Sequence, residues 1–408
     1  MTRTDSMRAA HTAARGWLCA AAAGLAVLMA GCAAPQATTV ASELPFPQAV
    51  QEATDGLVGQ TQKLPAFLAK VESKLAKRGV VLDPMLDATT GEQTGVTALL
   101  QRSVTDHMAA KYDQFELLPF DSASLARAQY LLTGTTTREA RAGGRAAYRI
   151  KLALTELKSG NVVAQASALA QGDGLDDTPL PYYRDSPVLV KDKVLEGYIR
   201  TTAAAPGQRA DAFYLERIGV ASVINEATTL YNAARYQDAL GQYRSALATP
   251  AGEQLRVLNG IYLTNAKLGR MAEAEQAFGK VVALGIAYNQ LGVKFLFNPG
   301  STEFWADPRV SGQYGMWLRQ IAKESTTAKV CMDVVGHTSR TGSDQSNEVL
   351  SLQRATIIRQ RLTADAPHLA SRTKAVGMGF RENIVGSGTD NAADALDRRV
   401  EFKIVPCS

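Results

Sequence analysis

The sequence predicts a multidomain α+β protein, and three observations carry that expectation. At 408 residues the chain exceeds one ordinary domain, since domains usually run about 100–200 residues. Alternating apolar patterns near both ends bracket a stretch whose apolar residues recur at helical spacing. The composition is that of a globular chain, 46% apolar and 20% charged, with no block of like charge. The formal charge of +5 includes Arg3, Arg8 and Arg15 against Asp5 in the first 31 residues, so the remainder carries a smaller surplus. Nucleic acid is therefore not an indicated partner.

The apolar run GWLCAAAAGLAVLMA follows those arginines. It falls short of the ~20 residues that span a bilayer and reads as the core of an export signal over residues 1–31. Small residues in LMAGC precede Cys32, a pattern that resembles the bacterial lipobox, with Met29 where leucine is commonest. The resemblance implies that Cys32 becomes the lipidated first residue. With Ala33 rather than aspartate next, it also implies an outer-membrane lipid anchor facing the periplasm. An ordinary signal peptide cut nearby is the alternative. Several acyl chains on one residue anchor stably, because each buried methylene contributes about 0.8 kcal/mol. Residues 32–47 are small, polar and proline-containing, and read as a tether.

Residues 48–205 read as an α/β domain. GVVLDPM at 79–85 is a buried-strand pattern, and 93–112 places Val96, Leu99, Leu100, Val104 and Met108 on one helix face. FELLPF at 115–120 and YLLTGTTT at 130–137 are further strands. AYRIKLALTEL alternates Tyr148, Ile150, Leu152 and Leu154 with polar or small partners, turns at KSGN, and returns as VVAQASALA, which is a hairpin signal. This order of elements, with VVLDPMLDATTGEQTG, YLLTGT and LALTELKSGNVVA, resembles the envelope lipoprotein domains of the LpoB, FlgO and CsgG type. Those relatives assist cell-wall synthases, flagellar structures or curli secretion, and the fold alone implies none of these roles. A half-buried hairpin is favoured over a membrane pore strand, since both show one apolar face.

Residues 212–287 change period. NAARYQDALGQYRSALATP and AKLGRMAEAEQAFGKVVAL align with Ala234 on Gly269, Ala239 on Ala274 and Tyr243 on Phe278. The offset is close to the ~34 residues of tetratricopeptide repeats, which the pair resembles. Two such units are fewer than the roughly three needed to stand alone, so they are expected to lean on a neighbour. A groove for a partner peptide and a helical spacer are both open readings.

Residues 290–408 carry five motifs in order: KFLFNPGSTEF for a first strand and loop, MDVVGHTSRTG for a second strand, NEVLSLQRA for a helix, AVGMGF for a third strand and DRRVEFKIV for the last. Together they resemble the OmpA-like peptidoglycan-associated domain, which implies a βαβαββ fold. The family binds diaminopimelate of wall stem peptides with an aspartate in the turn after the second strand and an arginine on the helix. The matching positions are Ser339, which stands in place of that aspartate, and Arg354. The free end of diaminopimelate has one ammonium and one carboxylate, so it needs an acceptor and a donor fork. On a helix starting near Ser343, Asn347, Ser351 and Arg354 fall on one polar stripe and Ala355, Ile358 and Leu362 on an apolar one. Asp344, Glu348 and Asp390 are candidates for the missing carboxylate. Arg398 and Arg399, read as strand neighbours, would point to opposite faces, so only one of them, taken as Arg399, faces the ligand.

Outside the signal and the lipid position the cysteines are Cys331 and Cys407. In an oxidising compartment one disulfide is expected, with two separate thiols as the alternative; the family's pairing of the last strand beside the second would bring them together. His107, His337 and His368 show no metal-ligand spacing with a second histidine or cysteine. No serine elbow, phosphate loop or helical zinc pair occurs, so neither a cofactor nor an enzyme is expected. GDGLDD at 172–177 reads as an acidic solvated loop rather than a calcium loop. Two functions follow: a non-enzymatic tether between outer membrane and peptidoglycan, or a regulator or assembly factor whose wall domain only localises it. In either case a protein partner is expected at the repeats or the N-terminal domain.

Overall fold

Two sheets and a set of helical hairpins arise where the sequence changes period. The computed structural model describes residues 42–61, 77–141, 145–289, 291–385, 388 and 393–407. The expected export signal, Cys32 and Asp390 lie outside the described residues. Helix α1 (Phe46–Thr61) buries Ala49, Val50, Ala53 and Leu57. After it come β1 (Arg78–Leu82), β2 (Leu86–Asp87), α2 (Gly95–Lys111), β3 (Phe115–Leu118), β4 (Tyr130–Ala140), β5 (Ala146–Glu156) and β6 (Asn161–Gln171). The strands lie in the order β3-β1-β4-β5-β6, with β2 also on β4. β1 is parallel to β3 and β4, while β4–β5 and β5–β6 are antiparallel. The hairpin forms where alternation predicts it.

Successive residues of a strand face opposite ways, and here both faces are covered. Val80, Leu132, Ile150, Leu152 and Leu154 join α1 and α2, whereas Val81 and Leu131 join the helices that follow. Thr94 caps α2 reciprocally with Thr97, satisfying two otherwise orphaned N–H groups. Asp55 of α1 accepts from Lys111 Nζ and Tyr112 Oη and meets His107 Nε2, each at 2.6 Å. On the other face α3 (Lys193–Ala203) carries Tyr198. Its hydroxyl accepts from the Gly134 N–H at 2.8 Å and donates to the Gly134 carbonyl at 2.9 Å. Gly134 lies beyond the β4 positions paired with β1 and before those paired with β2. The tyrosine therefore satisfies the β4 backbone where neither strand does.

Helices α4 (Ile218–Asn232), α5 (Tyr236–Leu247), α6 (Leu255–Lys267) and α7 (Met271–Ala287) form two successive hairpins. The aligned residues Ala239, Ala274, Tyr243 and Phe278 are all fully buried. Ala234 and Gly269 occupy the same turn position, with φ of 58° and 73°. Glycine adopts that left-handed conformation freely and alanine does not. The hairpins share a core with both neighbours: one apolar cluster runs from Val81 and Leu131 through Tyr243 and Phe278 to Trp317, Ile358 and Phe402.

The last region comprises α8 (Tyr314–Ala328), β7 (Cys331–Gly336), α9 (Asp344–Asp365), β8 (Thr373–Gly377) and β9 (Val400–Val405). The sheet order is β8-β7-β9, with β7 parallel to β8 and antiparallel to β9. Cys331 and Cys407 are joined in a disulfide. The expected first strand does not form a ladder. Instead Leu189 N–H bonds Gly292, Lys294 N–H bonds Pro187, and Phe297 meets Phe304 across a short turn. The backbone of 292–298 is divided among the N-terminal region, its own return and the C-terminal residues Tyr314 and Arg398, while Phe295 and Phe297 sink fully into the core. Arg398 and Arg399 precede β9 rather than forming part of it, which removes the strand-neighbour argument about their faces.

Candidate functional site

β7 and β8 run parallel with α9 as their crossover, so their C-terminal ends and the first turns of α9 meet at one edge. Such strand ends are where open α/β sheets present their chemistry. The pairing continues past the strands: Met378 N–H bonds Gly336 at 3.0 Å, Thr338 N–H bonds Gly379 at 2.9 Å, and His337 N–H bonds Arg399 at 2.9 Å. Gly336 and Gly377 permit this. A Cβ on Gly336 would lie 1.9 Å from the Ser351 carbonyl oxygen, and one on Gly377 would lie 2.8 Å from the Leu352 nitrogen. Only residues without a side chain let α9 approach so closely.

The polar stripe of α9 faces this edge. Ser343 caps the helix by accepting from Ser346 N–H. Asn347 Nδ2 donates to the Thr341 carbonyl at 2.9 Å. Ser351 Oγ accepts from Gly379 N–H at 2.9 Å and donates to the Glu348 carbonyl at 2.8 Å. One side chain thus joins the helix to the loop after β8. Ser339 is almost fully buried, with its hydroxyl 3.2 Å from that of Thr341.

Arg354 is fully buried. Its Nε donates to the Ser301 carbonyl at 2.9 Å, Nη1 to His337 at 3.1 Å and Nη2 to Asn298 at 3.0 Å, and the guanidinium lies 5.2 Å from the Phe297 ring centroid. The fork expected to meet a ligand is therefore committed to three backbone carbonyls, binding the 298–301 turn to the strand ends. Arg399 is also buried, but its guanidinium contacts Glu401 and the carbonyls of Leu396 and Glu382. Arg398 donates to the Phe297 carbonyl and stacks on Trp305.

Of the carboxylates considered as replacements for the aspartate, Glu348 is held by Arg381 at 2.6 and 3.2 Å. That pairing lowers the Glu348 pKa. Asp344 lies exposed in the first turn of α9. Two features escaped the sequence. Asp397, fully buried, accepts from the Ile384 and Val385 N–H groups at 2.6 and 3.0 Å and so fixes the loop after β8. His337 is fully buried beside Glu401. The only sequence signal for either was its place in a motif, since their partners are distant in the chain. Among the described residues no helix is long and apolar enough to cross a membrane.

Residues 296–396 match the model of the OmpA family. The peptidoglycan-associated lipoprotein of Burkholderia pseudomallei aligns at 22% identity over 28% of this chain and 89% of its own, with a TM-score of 0.23. The cell wall anchor of the T6SS of Pseudomonas aeruginosa aligns at 24% identity over 28% and 77%, with a TM-score of 0.23. The C-terminal domain of Helicobacter pylori MotB aligns at 19% identity over 28% and 84%, also at 0.23. No curated protein is significantly similar to the chain. The C-terminal region, by its match over 296–396, is an OmpA-like domain.

Proposed function

We propose that the chain is a non-enzymatic envelope protein whose C-terminal domain holds peptidoglycan at the edge formed by Ser339, Asn347, Ser351 and Arg354. The observation that carries this reading is the OmpA-family match over 296–396, whose motif positions converge on the ends of β7 and β8. The finer parts are also proposals: lipidation at Cys32, an outer-membrane anchor facing the periplasm, and a protein partner at the N-terminal sheet or the helical hairpins.

Diaminopimelate is the ligand class. Its ammonium is accepted by the Ser339 hydroxyl, at lower strength than a carboxylate would give, because hydrogen bonds between charged groups are the stronger kind. Arg354 acts first as a brace that shapes the turn, and meets the ligand carboxylate only where the 298–301 turn gives way. Arg399 braces Glu401 and takes no part in binding.

The test is sedimentation of the soluble chain with diaminopimelate-type sacculi. Wild type pellets, Ser339→Asp pellets about tenfold more tightly, the equivalent of ~1.4 kcal/mol, and Ser339→Ala less tightly, with a circular dichroism melt of each variant to separate binding from folding, since Ser339 is almost fully buried. Wild type remaining in the supernatant would overturn the reading.

One contact favours the regulator as a second reading. Arg138 of β4 donates to the Val385 carbonyl at 3.0 Å, in the loop fixed by Asp397. The N-terminal sheet is thereby tied to the wall-facing edge. Because the regions share one core, deleting residues 48–205 would unfold the rest. Cross-linking of a partner in cells that is altered by Arg138→Ala is the discriminating result.

A further inference from the structure

One buried side chain takes no part in the proposed wall binding. His337 is fully buried, and neither ring nitrogen has a hydrogen-bond partner. A buried imidazole with an unmet N–H is costly and calls for an occupant. Nε2 points at Glu401, 3.6 Å from Oε2. Glu382 completes the group, and one ligand atom from each of the three residues lies within 4.8 Å of the others. The fold brings them together: His337 follows β7, Glu401 is the second residue of β9 opposite Val335, and Glu382 lies in the turn after β8. One ligand comes from β9 and the other two from the segments that follow β7 and β8.

We propose that His337, Glu382 and Glu401 form a site for a divalent transition-metal ion of the Zn²⁺ type. One imidazole nitrogen with two carboxylates suits Zn²⁺, Co²⁺ or Mn²⁺, whereas Ca²⁺ and Mg²⁺ favour all-oxygen sites. Ligand arms of about 2.1 Å in a tetrahedron put ligand atoms roughly 3.4 Å apart. The His337–Glu401 separation already fits that spacing, and Glu382, which is partly exposed, closes the remainder by side-chain rotation.

The cations around the cluster sort themselves into a support and a competitor. Arg399 Nε donates to Glu401 Oε1, leaving Oε2 toward the imidazole. An outer partner of this kind orients a metal-binding carboxylate. Lys403 Nζ donates to both Glu382 oxygens at 3.0 and 2.9 Å, yet its side chain is 47% exposed. It is the ammonium that an entering dication displaces into water. Burial, aided by the charges of Arg399 and Lys403, holds the His337 pKa down at about 2, so the ring is in the neutral form a metal takes. This site does not depend on the wall reading.

The experiment is calorimetric titration of the full soluble chain with ZnCl₂ at pH 7.5, with Co²⁺ visible absorption as a spectroscopic check. One ion per chain is expected. Affinity should fall at least tenfold in His337→Gln and in Glu382→Gln, and rise severalfold in Lys403→Gln. Glu382 and Lys403 lie at the rim, so the answer survives if His337→Gln fails to fold. Absence of stoichiometric binding overturns the proposal. So does binding that persists unchanged in Glu382→Gln, which would place the ion elsewhere.

Discussion

Arg354 and Arg256 are both buried arginines, and their surroundings differ in kind. Arg354, at the strand ends, donates to three neutral carbonyls at 2.9–3.1 Å. Arg256, in the junction between the N-terminal sheet and the helical hairpins, has a long contact of 3.4 Å to Gln254 and an Nε without a hydrogen-bond partner. Its balance comes instead from the nearby charges of Asp192 and Asp83. The first arrangement includes three directed hydrogen bonds to backbone carbonyls. The second is electrostatic, with buried carboxylates that titrate. The OmpA-like edge is thus braced by directed bonds, while the junction holds carboxyls whose pKa burial raises.

The largest expected effect breaks the first arrangement. Arg354→Ala leaves three buried carbonyls without donors and opens a cavity, and should cost about 3–5 kcal/mol of stability, read by urea denaturation. Loss of sacculus binding in this variant therefore reports folding as much as recognition. A variant that stays within 1 kcal/mol of wild type would show that the brace is dispensable.

The next effect tests the junction. Asp83 is buried and accepts from Tyr214 Oη at 2.5 Å. Burial, partly offset by that hydrogen bond and by Arg256, raises its pKa to about 6. A carboxyl with a raised native pKa binds protons more tightly when folded. Its contribution is fully favourable below about pH 4 and is lost as pH rises through 6, on the order of 3 kcal/mol. Asp83→Asn should flatten the decline in stability between pH 4 and 6, measured by denaturation at each pH. Asp55 has the opposite sign. Burial works against its charge, but Lys111, Tyr112 and His107 outweigh it and hold the carboxyl at about 2. Its share of stability is present above pH 4 and disappears as pH falls toward 2, so Asp55→Asn should shallow the acid limb instead.

The smallest effect compares the two hairpins. Gly269 takes its left-handed turn freely, and Ala234 takes the same turn at a cost. Ala234→Gly should stabilise the chain by about 1 kcal/mol, seen as a rise in Tm.

Much of the architecture was legible because it depends on local periodicity. Alternation from Tyr148 to Leu154 with a KSGN turn specified the hairpin, and helical spacing put Asn347, Ser351 and Arg354 on one face. The paired turn positions Ala234 and Gly269 followed from the repeat offset. What was illegible depends on distant partners. Nothing near Arg354 in sequence announces that the carbonyls of Ser301, Asn298 and His337 will accept from it. Residues 292–298 carry a strand pattern, yet Gly292 and Lys294 bond Leu189 and Pro187 of another region, and Leu296 and Phe297 bond Tyr314 and Arg398 instead of a strand ladder. His337, Glu382 and Glu401 have no motif spacing because they meet only when β7 and β9 pair and the loop after β8 folds beside them.

The most direct test of the central claim is amide NMR of the soluble chain during titration with a diaminopimelate-containing stem peptide. Shifts are expected only at Thr338–Thr341, Asn347 and Gly377–Gly379, with the helical hairpins silent. Absence of shifts at that edge, or shifts centred on the hairpins instead, would contradict it.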